Sequence, residues 1–301
     1  MKKKRLFALL MAAALAATMT ACGAKDTDNQ GGASASSGGN SSLGEISVVS
    51  REDGSGTRGA FIELTGVEAK DADGNKTDMT TEDAIITNKT DVMLSTVAGD
   101  PAAIGYVSLG SLNKNVKAVK IDGAEATPEN VKSGTYKLSR PFNVATKGEP
   151  SGVAKDFMNF IMSADGQKIV SEDYIAIDDA AAAFQTDGSS GKIVVGGSSS
   201  VSPLMEKLAE AYQKINAAAE IEIQTQDSTS GMTGTIDGTY DIGMASRELK
   251  DEEAAELTGT AIALDGIAVI VNNENPVTEL STEQVMQIYT GEVTDWAGLT
   301  K

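Results

Sequence analysis

The chain of 301 residues contains no histidine at all. That absence excludes a Ser-His-Asp triad, a Cys-His dyad and any histidine-based metal site. It holds a single cysteine, Cys22, so no intramolecular disulfide can form. None of its glycine turns ends in the Gly-Lys-Ser/Thr of a Walker A loop, and no Gly-x-Ser-x-Gly elbow occurs. Positive charge is scarce: 25 Lys and Arg face 43 Asp and Glu, for a formal net charge of −18. Such an acidic surface repels polyanions, which argues against nucleic acid as a partner. Any anion must then be held by local N–H groups, hydroxyls and one or two arginines in a closed cleft. The acid pairs Glu82-Asp83, Asp178-Asp179 and Glu252-Glu253 read as solvated faces or loops rather than catalytic carboxylates. Trp296, the sole tryptophan, reads as a packing anchor.

Long apolar runs are also lacking, apart from the N-terminus. Residues 1–22 carry Lys2, Lys3, Lys4 and Arg5, then a Leu/Ala/Met stretch, then Thr20-Ala21-Cys22, the layout of a secretory signal. The apolar part is too short for a membrane-spanning helix. Small residues before Cys22 resemble a lipobox, in which that cysteine becomes the lipidated N-terminus; the alternative is an exported chain cleaved nearby without lipid. Residues 23–44 are Gly, Ser, Asn, Ala and Asp with almost no apolar content, and read as a disordered tether. A tether of that composition holds a globular body roughly 25 Å from a membrane surface.

From Ile46 onward, short apolar strands alternate with amphipathic helical stretches, which predicts an α/β fold with largely parallel sheets. The strands expected are 46–50, 103–107, 116–121, 142–146, 192–196, 220–225, 241–244, 259–264 and 266–271. The helices expected are 57–65, 91–98, 152–163, 202–216, 230–237 and 281–289. Residues 178–191 read as a surface linker between two halves, with a short Ala-rich helix at its start as the alternative.

Residues 51–57 (REDGSGT) sit where a strand turns into a helix, and the turn suits an oxyanion. Gly54 and Gly56 allow close backbone approach, Ser55 and Thr57 offer hydroxyls, and the helix start leaves N–H groups free. The Arg51 guanidinium can hold two oxyanion oxygens at once, with Asp53 near enough in sequence to brace it. Two further Ser/Gly turns follow strands: Gly197 to Pro203 and Asp227 to Gly231. A fourth element, Ala245-Ser246-Arg247, follows the strand at 241–244. One Ser-rich helix start is an ordinary N-cap. Several at strand ends, with two arginines beside them, point to a ligand site, because open α/β sheets bind ligands there.

On these residues the chain resembles the phosphate-binding lipoproteins of bacterial phosphate ABC transporters, which are type II periplasmic solute-binding proteins. The resemblance rests on Arg51 to Arg58, Ile104-Gly105-Tyr106, Ser139 to Phe142, Gly197 to Pro203, Asp241 to Arg247, Gly266 to Asn272 and Thr294-Asp295-Trp296. Segment order departs from the family, whose REDGSGT half follows the Trp-containing segment, whereas here it comes first. This implies a circular permutant joined through 178–191; a duplicated or truncated gene is the competing explanation.

The resemblance implies a two-lobed fold, each lobe a mostly parallel sheet flanked by helices. One lobe would be split over 45–142 and 266–301, the other continuous over 143–265, with crossovers near Phe142-Asn143 and Asp265-Gly266. It implies a monomeric, non-catalytic receptor with no cofactor and no metal, anchored outside the cell membrane through Cys22. Such a receptor binds inorganic phosphate and delivers it to permease subunits. Site residues carried over are Arg51, Asp53, Ser55, Gly56 and Thr57 from one lobe, and Ser199, Ser200, Ser228, Ser246 and Arg247 from the other. Arg247 stands where some members place the aspartate that accepts the proton of hydrogen phosphate. Asp53, Asp227 or Glu248 could be that acceptor, or Arg247 could add affinity or pair with an acid at the cleft rim. Other functions left open are a sulfate receptor, a surface or regulatory protein that keeps the fold, and, least favoured, an enzyme on phosphate esters.

Overall fold

A computed structural model describes residues 43–178 and 180–299. The signal segment with Cys22, the tether up to residue 42, and Asp179 lie outside the described residues. The first stretch runs β1 (Ser47–Arg51), α1 (Gly56–Thr65), β2 (Glu68–Lys70), β3 (Lys76–Asp78), β4 (Ile85–Thr87), α2 (Thr90–Gly99), β5 (Ala103–Ser108), β6 (Val116–Ala118), β7 (Lys120–Ile121) and α3 (Pro128–Lys132). Next come β8 (Ser139–Thr146), α4 (Gly152–Ile161), α5 (Ala164–Asp173), β9 (Gly191–Ser198), α6 (Ser202–Ile215), β10 (Ala219–Gln226), α7 (Ser228–Ile236), β11 (Ile242–Ala245) and α8 (Asp251–Ala254). The chain closes with β12 (Thr258–Asn272), β13 (Glu279–Leu280) and α9 (Thr282–Tyr289).

Among the described residues the main sheet has strand order β10-β9-β11-β8-β12-β5-β1-β4, with β6 added on β12. The outer pairs β1/β4, β1/β5, β9/β10 and β9/β11 are parallel. The centre is antiparallel, because the two long strands β8 and β12 run against each other and against their neighbours β11 and β5. The sheet is therefore mixed, and the two strands expected at 259–264 and 266–271 are one continuous strand with an irregularity between Ala261 and Ala263.

The two largest apolar cores among the described residues draw on different parts of the chain. The first draws on 46–138 and 267–296, with Ile175 added, and is built around Phe61 stacked on Tyr106 at 4.0 Å with Tyr289 edge-on at 4.7 Å from Phe61. The second comes from 142–263, where Phe157 and Phe160 of α4 meet Tyr212 of α6. Helix α4 shows why: Val153, Ala154, Phe157, Phe160 and Ile161 recur at helical spacing and all are buried. Trp296 is buried in the first core and donates its indole N–H to Ala102 O at 2.8 Å, which makes it the anchor its sequence context suggests.

Residues 180–190 form no helix or strand, yet they are tied to the body. Phe184 packs edge-on against Phe160 at 5.2 Å, and buried Asp156 accepts from Thr186 Oγ1 (2.7 Å), Asp187 N (3.1 Å) and Tyr212 OH (2.9 Å). Near the two ends of the described chain, Glu45 bridges Asp295 and Ile46 N donates to Thr294 O at 2.8 Å. No helix among the described residues is long and apolar enough to cross a membrane.

Candidate functional site

Four helix starts converge. Ser55 is the N-cap of α1, accepting from Arg58 N at 3.3 Å, and Gly56 and Thr57 open that helix. Thr90 opens α2, Ser199 and Ser200 lie in the turn before α6, and Ser228 opens α7 behind its N-cap Asp227. Ser246 follows β11. Helix α7 starts two residues ahead of the expected 230 because Asp227 caps it through Ser230 N at 2.8 Å.

The hydroxyls of these turns touch across large sequence gaps. Thr57 Oγ1 lies 2.8 Å from Ser200 Oγ, 143 positions away, and 3.3 Å from Ser246 Oγ. Ser198 Oγ donates to Ser246 Oγ at 3.0 Å, and Ser246 N donates to Ser228 Oγ at 3.1 Å. Thr90 Oγ1 is 3.3 Å from both Ser199 Oγ and Ser200 Oγ. The backbone also crosses, since Thr229 N donates to Gly54 O at 3.1 Å. All seven hydroxyl residues are buried. With the positive ends of four helix dipoles aimed inward, the arrangement suits a small, multiply bonded anion.

Two guanidiniums flank the hydroxyls. Arg51, 2% exposed, donates Nε and Nη2 to Glu52 (2.8 and 2.7 Å), and Nη2 also reaches Ser199 Oγ at 3.2 Å. Its backbone N–H donates to Tyr106 OH, which also meets Ser50 Oγ. Burial pushes that tyrosine up to about 12, against the pull of those two partners, so it stays a neutral hydroxyl. Arg140 of β8, 3% exposed, donates Nη2 to Thr57 Oγ1 at 2.9 Å and Nε to Ser246 O at 2.7 Å.

Thus Arg51, Ser55, Gly56, Thr57, Ser199, Ser200, Ser228 and Ser246 come together. Two expected residues take other places. Asp53 does not brace Arg51: its side chain, 96% exposed, pairs with Arg58 Nη1 at 2.8 Å, and Glu52 holds Arg51 instead. The turn after β1 swings Asp53 outward onto α1. Arg247 sends its stem past Gly56 while its head forms a two-pronged pair with Glu253 (2.7 and 2.8 Å) and reaches Thr229 Oγ1 at 3.2 Å, at the rim. Glu253, expected on a solvated face, is buried there. Beside this rim a groove of about 580 Å³ leads to Arg140 and Arg247, walled by Ala60 and Leu64 on one side and Glu248 and Leu249 on the other.

Sequence reasoning missed Thr90, Ser198, Arg140, Glu52 and Asp265. Thr90 carried a signal, since a threonine just ahead of an expected helix is a common N-terminal residue. Among the described residues no group of three or more Cys, Asp or Glu is placed to hold a metal ion.

The Arg247–Glu253 pair carries a pH consequence. Burial opposes ionisation of Glu253, but the bonds from Arg247 and Lys250 N–H outweigh it and hold its carboxyl below the ordinary 4.5. A lowered folded pKa adds stability that is present above the ordinary value and lost as pH falls through the folded one. Glu253→Gln should therefore be less stable than the parent at pH 7, and the gap should narrow as pH falls below the ordinary 4.5; denaturation midpoints followed from neutral into acid check this.

The family model described as "PBP superfamily domain" matches residues 29–165 and 182–300. The sequence is similar to phosphate-binding protein PstS 2 of Streptococcus agalactiae, at 56% identity over 264 residues, covering 87% of this chain and 90% of that one. It is similar to phosphate-binding protein PstS 2 of Streptococcus pneumoniae at 45% over 297 residues, covering 98% and 99%. Because that alignment runs through nearly the whole of both chains, the segment order is shared with that relative. The crystal structure of a phosphate-binding protein of a phosphate ABC transporter from Streptococcus pneumoniae TIGR4 matches with a TM-score of 0.68 and 47% identity, covering 85% of this chain and 100% of that one.

Proposed function

The chain belongs to the phosphate-binding proteins of the PBP superfamily, and on that premise we propose that it binds one inorganic phosphate between two lobes and hands it to an ABC-type permease outside the cell membrane. The carrying observation is the meeting of Thr57 with Ser200 and of Arg51 with Ser199 across the cleft. Hydroxyls that bond to each other here are the groups an anion would take over, each trading a neutral partner for a charged one. The lobes are 45–142 with 266–301, and 143–265. They are joined by β8 and β12, which cross the cleft side by side and allow hinge closure. Water leaves as the cleft shuts, which strengthens every N–H and O–H bond to the anion. Anchoring through a lipid on Cys22 and action as a monomer complete the proposal.

Asp53 is taken by Arg58, Asp227 by Ser230 and Glu248 by Asn143, so the proton of hydrogen phosphate falls to a cradle hydroxyl, which can accept as well as donate. Calorimetry with inorganic phosphate should give one site per chain, with sulfate as the competitor that grades selectivity; no heat from folded protein would end the proposal. Arg51→Ala should weaken phosphate binding by about thirtyfold, because a charge-assisted contact goes and Glu52 is left facing the anion. Equal affinity in that titration would remove Arg51 from the site.

A further inference from the structure

The Arg140 guanidinium is costly to bury, and its surroundings show what it does. Residues Arg140 and Asp265 are register partners on the two crossover strands. Arg140 Nη1 pairs with Asp265 Oδ2 at 3.2 Å, and Asp265 is wholly buried. A buried ion pair is often no more stable than an apolar pair of the same size, so its stability alone does not explain it. The remaining nitrogens point at the cradle. Nη2 reaches Thr57 Oγ1, at the α1 start, and Nε reaches the carbonyl of Ser246, after β11. One side chain thus touches both walls of the cleft from its floor.

The charge balance agrees. Burial lowers the Arg140 pKa, Asp265 raises it back, and Arg51 is close enough to lower it further. Two like charges therefore face each other across the hydroxyls, a repulsion that an anion between them relieves. Burial likewise pushes Asp265 up to about 6, against the pull of the Arg140 guanidinium. The carboxylate sits behind the guanidinium and the cradle in front of it.

We propose that Arg140 is a second cationic contact of the anion, joining the two walls on closure, and that Asp265 is the positioning residue that aims it. This rests on the phosphate reading above. The planar fork suits two oxyanion oxygens, which an ammonium cannot match.

The test is a cycle on the full chain, titrated with inorganic phosphate by calorimetry, with circular dichroism to report folding. Arg140→Met should lower affinity about thirtyfold, and Arg140→Lys should recover only part of that. Asp265→Asn should lower affinity about tenfold in the parent but change nothing further beside Arg140→Met, because its effect passes through Arg140. Should Arg140→Met fail to fold around its unpaired Asp265, the double variant Arg140→Met/Asp265→Asn, free of both charges, supplies the same readout. Affinity within about threefold of the parent for both Arg140 variants, or for that double variant, overturns the contact; Asp265→Asn effects that add to those of Arg140→Met overturn the positioning role. A parent protein that binds no phosphate removes the underlying reading instead.

Discussion

Gly56→Ala is expected to leave the fold intact and to cost the protein about fivefold to 150-fold in phosphate affinity. Gly56 opens α1 with an ordinary backbone, since it is absent from the positions with positive φ. A β-carbon there strains nothing local, and alanine suits a helix better than glycine. The obstacle lies across the cleft. The added carbon would press into Ser228 Oγ and stand 2.9 Å from Ser246 Oγ and 3.0 Å from Arg247 Cγ. Every one of these atoms belongs to the opposite wall, so the methyl acts as a wedge only when the cleft is shut. Overpacking of this kind costs about 1–3 kcal/mol, charged against the closed form alone. Affinity then falls by the fraction of molecules that can still close. The expected pattern is an unchanged melting temperature without ligand and a much smaller shift on adding phosphate. An unchanged affinity would mean that the anion binds with the walls apart.

The site could be read from the sequence where one short segment carried both the turn and the chemistry. Arg51 to Thr57, Ser199-Ser200 and Ser228 announce themselves by small residues and hydroxyls at helix starts, and the structure joins them. Arg140 gave no such sign, because Ser139-Arg140-Pro141 lies just ahead of the strand expected at 142–146, with no hydroxyl-rich helix start beside it. Its role depends on register with Asp265, a partner 125 positions along the chain. Asp265 itself looked like a break between two strands, since a lone acid inside an apolar run has no local reason to be buried. Glu52 and Asp53 are neighbours, and only the outward turn after β1 decides which of them holds Arg51. In the fold, α5 was missed because its sequence, ADGQKIVSED, is polar with an internal glycine and buries few residues. The hairpin of β2 and β3 is mostly exposed and shows no alternation. Signals that arise from burial were legible; those set by long-range pairing were not.

Gly197→Ala should do the reverse of Gly56→Ala and damage the fold first. Gly197 sits near the end of β9 with φ of +135°, a region L residues avoid. Its β-carbon would collide with the carbonyl of Met244 on the paired strand β11 and stand 3.1 Å from Gly231 Cα in α7. Both are backbone, so no side chain can turn aside. Strain of about 1–2 kcal/mol for the left-handed side adds to about 1–3 kcal/mol for overpacking. The total of about 2–5 kcal/mol is a large share of a typical domain's stability. Gly238 provides the control, with φ of +78° and nothing within 4 Å of the added carbon. Gly238→Ala should show the strain alone, about 1–2 kcal/mol, so the difference in urea midpoint between the two variants measures the crowding. Crowding matters to the site because β9 delivers Ser198, Ser199 and Ser200 while β11 delivers Ser246. Spreading those strands parts the 3.0 Å Ser198–Ser246 bond and, with it, one wall of the cradle. Equal midpoints for the two variants would show that the β9, β11 and α7 backbones have room to spare, and that the cradle owes its shape to the hydroxyls instead.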